Sequence, residues 1–196
     1  NMIKNLSFKI SSTLIFFAAF TSITSLWSFQ SFGEEKLLKE EKNYRDWSVF
    51  VSKEDPFTCF VASQSVKSEA YKNGQKLSSV NREKGTIYII KKKNKENKYE
   101  ATFYAGYPLQ VGSKAKLSID KKNEIVFFAH PSPKEKAEKE HAWAQKYDEE
   151  KLVSYLKKGS KAVLSAVSHR NTVTKDTFML TGFSDALSEL GKLCKQ

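Results

Sequence analysis

The chain has 196 residues, of which 40% are hydrophobic and 28% are charged, enough for one domain of ordinary size with an appendage at one end. Its two cysteines and three histidines leave little material for a metal site, because structural zinc normally has four ligands from closely spaced Cys and His pairs. No metal is expected, and no cofactor is expected either. The formal net charge of +11 favours acidic partners. Arginine, the residue that makes bidentate phosphate and base contacts, occurs only at Arg45, Arg82 and Arg170, so nucleic acid is a disfavoured partner.

The N-terminal segment has the pattern of an export signal. Two lysines precede an uncharged, mostly apolar run at residues 13–29, and small residues follow it up to Gly33. This pattern predicts a signal peptide, residues 1–33, that is cleaved after Gly33. The alternative is an uncleaved membrane anchor that begins at Leu14 and ends at Phe29. Either topology places the remaining chain in the periplasm or cell envelope, and the anchor would hold it at the inner membrane.

A charged stretch, residues 34–46, has too few apolar positions to pack by itself, and we interpret it as a linker or a frayed helix. The domain then occupies residues 47–196. Apolar and polar side chains alternate at residues 47–52 and again at residues 57–62, which predicts a hairpin whose second strand has Cys59 facing inward. The same pattern predicts further strands at residues 86–90, 99–105, 115–119, 125–128, 162–167 and 172–180.

Two helices are predicted among these strands. Asp148 is a suitable N-cap for a short helix that stops at Gly159, and apolar positions recur at helical spacing from Phe183 to Cys194. Residues 130–146 break the strand pattern with two prolines and alternating charges, which predicts a surface excursion. The predicted fold is therefore mainly β: an antiparallel β-sandwich of about eight strands with two short helices, the C-terminal one closing the core.

The sequence gives little support for catalysis. It has no Gly-x-Ser-x-Gly nucleophile elbow. His169, Asp176 and a nearby serine lie around one predicted turn, where we expect local polar contacts and no catalytic triad. His130 and His141 fall in the charged excursion and are expected to be exposed. A glycosidase-like carboxylate pair is unsupported by any spacing. We therefore expect no enzymatic activity.

The two cysteines allow three interpretations: a disulfide, two buried free thiols, or a redox pair. The absence of a Cys-x-x-Cys motif disfavours redox chemistry. In an exported protein the structural disulfide is favoured, between Cys59 and Cys194. These residues are 135 positions apart, and constraining an unfolded loop of that size contributes roughly 4 to 5 kcal/mol.

From Trp47 to Cys194 the chain resembles the invasion-associated locus B family of alphaproteobacterial exported proteins. The matching elements, in order, are Trp47, residues 59–63 (Cys-Phe-Val-Ala-Ser), 106–108 (Gly-Tyr-Pro), 142–144 (Ala-Trp-Ala), 168–172 (Ser-His-Arg-Asn-Thr), 176–183 (Asp-Thr-Phe-Met-Leu-Thr-Gly-Phe) and the last cysteine. Two departures are Asn171, where the family's glycine is expected, and a longer segment at residues 131–141.

The resemblance implies an all-β exported domain that is linked in some pathogens to host-cell invasion, and it brings no catalytic residues. We therefore expect a non-enzymatic periplasmic or envelope-associated binding domain. Its expected partner is an envelope protein or an acidic envelope component. The alternative is a membrane-anchored accessory subunit of a larger envelope complex.

Overall fold

The computed structural model describes residues 39–52, 58–91 and 98–194. The strands are β1 (Lys39–Tyr44), β2 (Trp47–Ser52), β3 (Thr58–Gln64), β4 (Lys67–Lys72), β5 (Gln75–Lys76), β6 (Thr86–Lys91), β7 (Tyr99–Tyr104), β8 (Lys114–Ile119), β9 (Asn123–Ala129), β10 (His141–Ala144), β11 (Lys161–Val167) and β12 (Val173–Met179). The helices are α1 (Lys136–Glu140), α2 (Glu149–Lys158) and α3 (Phe183–Leu193), and a 3-10 turn at Lys146–Asp148 precedes α2.

The strands form one antiparallel sheet in the order β1-β2-β3-β6-β7-β10-β9-β8-β11-β12-β4-β5. The chain passes directly from β3 to β4, which lies near the far end of this order. Two backbone hydrogen bonds hold this crossing in place: the Ser65 N–H donates to Gly85 O (2.8 Å) and the Val66 N–H donates to Thr177 O (2.8 Å). The sheet is therefore folded over, and the predicted fold class, an antiparallel β-sandwich, is confirmed.

Alternation along the strands builds the core. Val49, Val61 and Ile89 lie opposite one another on β2, β3 and β6 and are fully buried. Helix α3 adds Phe183, Ala186, Leu187 and Leu190, all buried, so the prediction that the C-terminal helix closes the core is correct. Burial of each large apolar side chain contributes about 1.5 to 3 kcal/mol.

The predicted disulfide is present and joins α3 to the first hairpin. Cys59 lies inward on β3, and Cys194 caps the C-terminus of α3, with 6.3 Å between the two Cα atoms. At the other end of α3, the Trp47 indole N–H donates to Met179 O (3.2 Å), and the Trp47 ring lies 4.7 Å from that of Phe183, centroid to centroid. The cross-link therefore ties the last helix to the strands that it covers.

Every predicted strand is found, and the structure adds β1, β4, β5 and β10. The interpretation of residues 34–46 as a linker or frayed helix is wrong for Lys39–Tyr44, which pairs with β2 as an edge strand. Edge strands tolerate charged side chains because one side meets solvent, so β1 lacks the apolar alternation of a central strand.

The prediction of a purely surface excursion at residues 130–146 is also wrong. This segment contains α1 and then β10, which lies between β7 and β9 inside the sheet. Ala142 and Ala144 of β10 are buried, but such small side chains give only a weak alternation signal. Helix α2 agrees with the prediction: Asp148 occupies the N-cap position, without a side-chain capping bond, and Gly159 follows the last turn.

Some predictions fall outside the described residues. These are the signal peptide at residues 1–33 and the alternative anchor between Leu14 and Phe29. Among the residues that are described, no helix combines the length and apolar character needed to cross a membrane.

Candidate functional site

Three connecting segments meet around a cleft of about 430 Å³, which we call the loop cleft. They are the β5–β6 segment (residues 77–85), the β7–β8 segment (residues 105–113) and the β11–β12 turn (residues 168–172). The last two are joined directly, because the His169 N–H donates to Pro108 O (2.9 Å) and the Gln110 N–H donates to Val167 O (2.9 Å). The cleft is therefore built by loops that are anchored to one another.

A buried ion pair forms the floor of the loop cleft. The Arg82 Nη2 donates to both carboxylate oxygens of Asp176, at 2.6 and 2.7 Å. The Asp176 side chain is 0% exposed and the Arg82 side chain 7%. Ser68 Oγ also donates to Asp176 (2.6 Å), and Arg82 Nη1 donates to Ala105 O (2.8 Å). These bonds tie the β5–β6 segment to β12, β4 and the end of β7.

Tyr107 forms one wall of the cleft. Its ring lies against the Arg82 guanidinium, 5.1 Å from the ring centroid, which is a cation–π contact. Its hydroxyl shares a 2.5 Å hydrogen bond with Thr174 Oγ1. Burial raises the pKa of Tyr107 to about 12, because desolvation disfavours the phenolate. The preceding Gly106 has a φ of 74°, and a Cβ there would lie 2.5 Å from Glu83 O, so the close approach of these two loops requires glycine.

The β11–β12 turn carries the exposed rim of the cleft. Ser168 Oγ accepts hydrogen bonds from the Arg170 N–H (3.3 Å) and the Thr172 N–H (3.1 Å). Asn171 has a φ of 58°, in the left-handed region. Asparagine is among the residues that adopt this conformation most readily, so Asn171 makes the turn that a glycine would make. Within this turn His169 and Arg170 are exposed.

The structure does not bring His169 and Asp176 into one triad. Asp176 is bonded to Arg82 and Ser68, whereas His169 Nδ1 lies 3.1 Å from Pro108 O. His130 and His141, predicted to be exposed, are both half-buried, and the His141 ring packs against Tyr104 with 5.0 Å between the centroids. Across the described residues, no three His, Cys, Asp or Glu side chains are grouped so that they could hold a metal ion.

The sequence does not predict the loop cleft as a site. The only site residues predicted from the sequence are Cys59 and Cys194, which form a structural cross-link away from the cleft. Three elements that carry the family resemblance, residues 106–108, residues 168–172 and Asp176, nevertheless meet at this cleft or in its floor. Arg82 and Tyr107 received no role because nothing in the sequence links residues 82, 107 and 176.

Together, the fold and the cleft define a helix-closed, disulfide-linked antiparallel β-sandwich with a loop-built cleft. The family model described as "Invasion associated locus B (IalB) protein" matches residues 47–191. The chain therefore belongs to the invasion associated locus B family.

A solved structure supports the same fold: the crystal structure of invasion associated protein b from Bartonella henselae. The two chains share 16% sequence identity and superpose with a TM-score of 0.52, over 79% of this chain and 98% of that chain. At this identity the likeness shows the fold alone. A comparison with curated proteins gives no match.

Proposed function

We propose that this protein is a non-enzymatic, exported envelope protein that uses the loop cleft to bind an acidic group on an envelope component or partner protein. The observation that carries the proposal is the assembly of the cleft from three separate segments around one buried ion pair. A buried ion pair adds little to stability, because the desolvation of its two charges offsets much of their attraction. We therefore interpret this pair as the contact that fixes the loops in one arrangement.

The charges of the cleft favour an acidic ligand. Its two carboxylates already face cations: Asp176 is bonded to Arg82, and Glu140 lies 3.9 Å from Lys136 Nζ. Arg170, at the exposed rim, has no ion pair within the described parts of the chain. The cleft therefore has one cation in excess, and a guanidinium suits bidentate contact with a carboxylate or phosphate.

The hydrogen bonds around the cleft favour binding over catalysis. Ser168 Oγ already accepts two backbone N–H groups, and Asp176 is held by an arginine and a serine. Nucleophilic catalysis needs a nucleophile and a base within hydrogen-bond reach of each other. In this cleft the corresponding groups hold the loops in place.

The proposed location is the periplasm or cell envelope, reached through the export signal at residues 1–33. The Cys59–Cys194 disulfide supports it, because such bonds persist in oxidising compartments and are rare in the cytosol. The length of the apolar run between Leu14 and Phe29 favours a second candidate, an accessory subunit anchored in the inner membrane. Mass spectrometry of the native protein separates the two, because cleavage would leave Glu34 as the N-terminal residue.

The binding proposal is tested by a matched pair of charge reversals in the exported protein. Arg170→Glu changes the cleft rim, and Lys157→Glu makes the same charge change on the exposed face of α2. Binding to lipopolysaccharide and to vesicles with anionic lipid is measured at two salt concentrations. We expect Arg170→Glu to weaken binding about tenfold or more and Lys157→Glu to have little effect. Equal losses in both variants would mean that diffuse surface charge, and not the cleft, binds these ligands.

A further inference from the structure

A second concave site lies on the outer face of β2, β3 and β6, separate from the loop cleft. It is a groove of about 520 Å³, which we call the aromatic groove. Phe50, Phe60 and Tyr88 line it on these three strands, and the β1–β2 turn forms one end. Helix α3 packs against β1, β2 and β3 from the inner face, so the groove lies on the opposite side of the sheet from that helix. Its volume is in the usual range for small-ligand sites, about 300 to 1,000 Å³.

The floor of the groove is a continuous aromatic surface. The rings of Phe50 and Phe60 are stacked, with centroids 5.0 Å apart and planes at 17°. Tyr88 meets Phe60 edge-on, with 5.6 Å between the centroids. Ala62 lies between Ser48 and Tyr88 in the cross-strand register. These small side chains at positions 48 and 62 leave a recess beside the Tyr88 ring.

The rim of the groove is polar and almost neutral. It consists of Asn43 and Gln64 together with one arginine and one aspartate, Arg45 and Asp46, which are adjacent in sequence. Thr86 also lines the groove but is buried. No lysine is among the lining residues in the described part of the chain, although the whole chain has a net charge of +11. Acidic ligands are therefore attracted elsewhere on this protein, and the groove suits an uncharged ligand with many hydrogen-bonding groups.

The end wall of the groove is held in place by the core. Arg45 has a φ of 59°, which makes the tight turn between β1 and β2. The adjacent Asp46 N–H donates to Thr181 O (3.4 Å), and Trp47 is fully buried next to α3. The rim is thus fixed before any ligand binds, and a preformed rim reduces the entropy that binding must overcome.

From these features we infer that the aromatic groove is a binding site for a neutral oligosaccharide. The C–H faces of sugar rings are apolar and pack on aromatic side chains, while their hydroxyl groups pair with amides, hydroxyls and guanidinium groups. The aromatic floor, the recess at Ala62 and the neutral polar rim fit these two properties together. This site is independent of the acidic ligand proposed for the loop cleft.

The test titrates the full exported protein with neutral hexaoses, one of glucose and one of N-acetylglucosamine, and with an acidic hexauronate for comparison. Binding is followed by calorimetry and by amide chemical shifts. Tyr88→Leu removes an aromatic wall, and Ala62→Tyr fills the recess. Tyr71→Leu is the matched control, because Tyr71 is also a half-exposed outer-face tyrosine, on β4, where Lys175 covers its ring at 5.1 Å. Thermal unfolding verifies that each variant is folded.

We expect a neutral hexaose to bind saturably and to shift amides of β2, β3 and β6. Tyr88→Leu and Ala62→Tyr should each weaken this binding about tenfold or more, and Tyr71→Leu should not. The inference is overturned if neither neutral hexaose binds, if only the uronate binds, or if the shifts lie at the loop cleft. It is also overturned if folded Tyr88→Leu and Ala62→Tyr proteins bind as well as the unaltered protein.

Discussion

Replacing Asp176 with asparagine should destabilise this protein more than most single substitutions do. Asp176 is fully buried and holds the Arg82 guanidinium through bonds of 2.6 and 2.7 Å. In the asparagine variant, the amide oxygen still accepts the Ser68 hydroxyl. The amide nitrogen, however, then faces the guanidinium, so a buried positive charge loses its counter-charge.

The size of the effect follows from this uncompensated charge. Removing one partner of a buried ion pair costs about 3 to 5 kcal/mol. For a domain of this length each kcal/mol lowers Tm by roughly 2 to 4 °C, so the expected fall is roughly 6 to 20 °C. Replacing both partners removes the buried charge altogether. The cost of Arg82→Met with Asp176→Asn should therefore be about 2 to 3 kcal/mol less than the sum of the two single costs.

The coupling free energy between Arg82 and Asp176 is measured by denaturant and thermal unfolding, with the disulfide intact. The four proteins compared are the unaltered protein, Arg82→Met, Asp176→Asn and the double variant. Glu124→Gln is a control, because it breaks an exposed ion pair with Lys116 (3.6 Å) and should leave Tm unchanged. The reasoning is refuted if Asp176→Asn costs less than about 1 kcal/mol, or if the two single costs are additive.

Three further predictions concern other parts of the fold. Reduction of the disulfide, or Cys194→Ser, should lower stability by up to about 4 to 5 kcal/mol and should increase amide hydrogen exchange in α3 before other elements. Unchanged protection of the α3 amides against exchange would contradict this. Gly182→Ala should cost at least about 1 to 3 kcal/mol, because a Cβ there would lie 1.9 Å from Tyr44 O at a φ of 91°. Gly191→Ala is its control, because the added methyl meets no atom within 4 Å, and it should stabilise α3 by about 0.5 to 1 kcal/mol. A similar loss of stability in both variants would refute the steric argument. Backbone N–H groups at the start of β11 hold the pKa of Asp120 below its ordinary 3.8. This contribution is present above pH 3.8 and is lost as pH falls through the folded-state pKa. Asp120→Asn should accordingly lose less Tm on acidification from neutral pH to about pH 2; equal losses would contradict it.

The fold was predictable wherever the burial of one face of an element produces a regular spacing of apolar residues in the sequence. Alternation at Trp47–Ser52 and the helical spacing from Phe183 to Leu190 both arise because one face of each element meets the core. The prediction failed at β1 and β10 for two different reasons. At β1 the side chains are charged because the strand lies at an edge, and at β10 the buried residues are alanines that contrast little with their neighbours.

The loop cleft was not predictable as a site, since its parts are distant in the chain: Arg82 and Asp176 are 94 residues apart. One signal was nevertheless present. Thr174, Asp176 and Phe178 alternate with exposed or half-exposed residues along β12, so Asp176 is a charged residue at an inward-facing position of a predicted strand. A carboxylate in such a place requires a buried cation or several donors, because burying an unpaired charge is too costly. Arginine is the residue best suited to that role, and the chain has it at only three positions. The alternation that predicts the strand therefore also indicates that Asp176 has a buried cationic partner, but it does not select Arg82 from the three arginines.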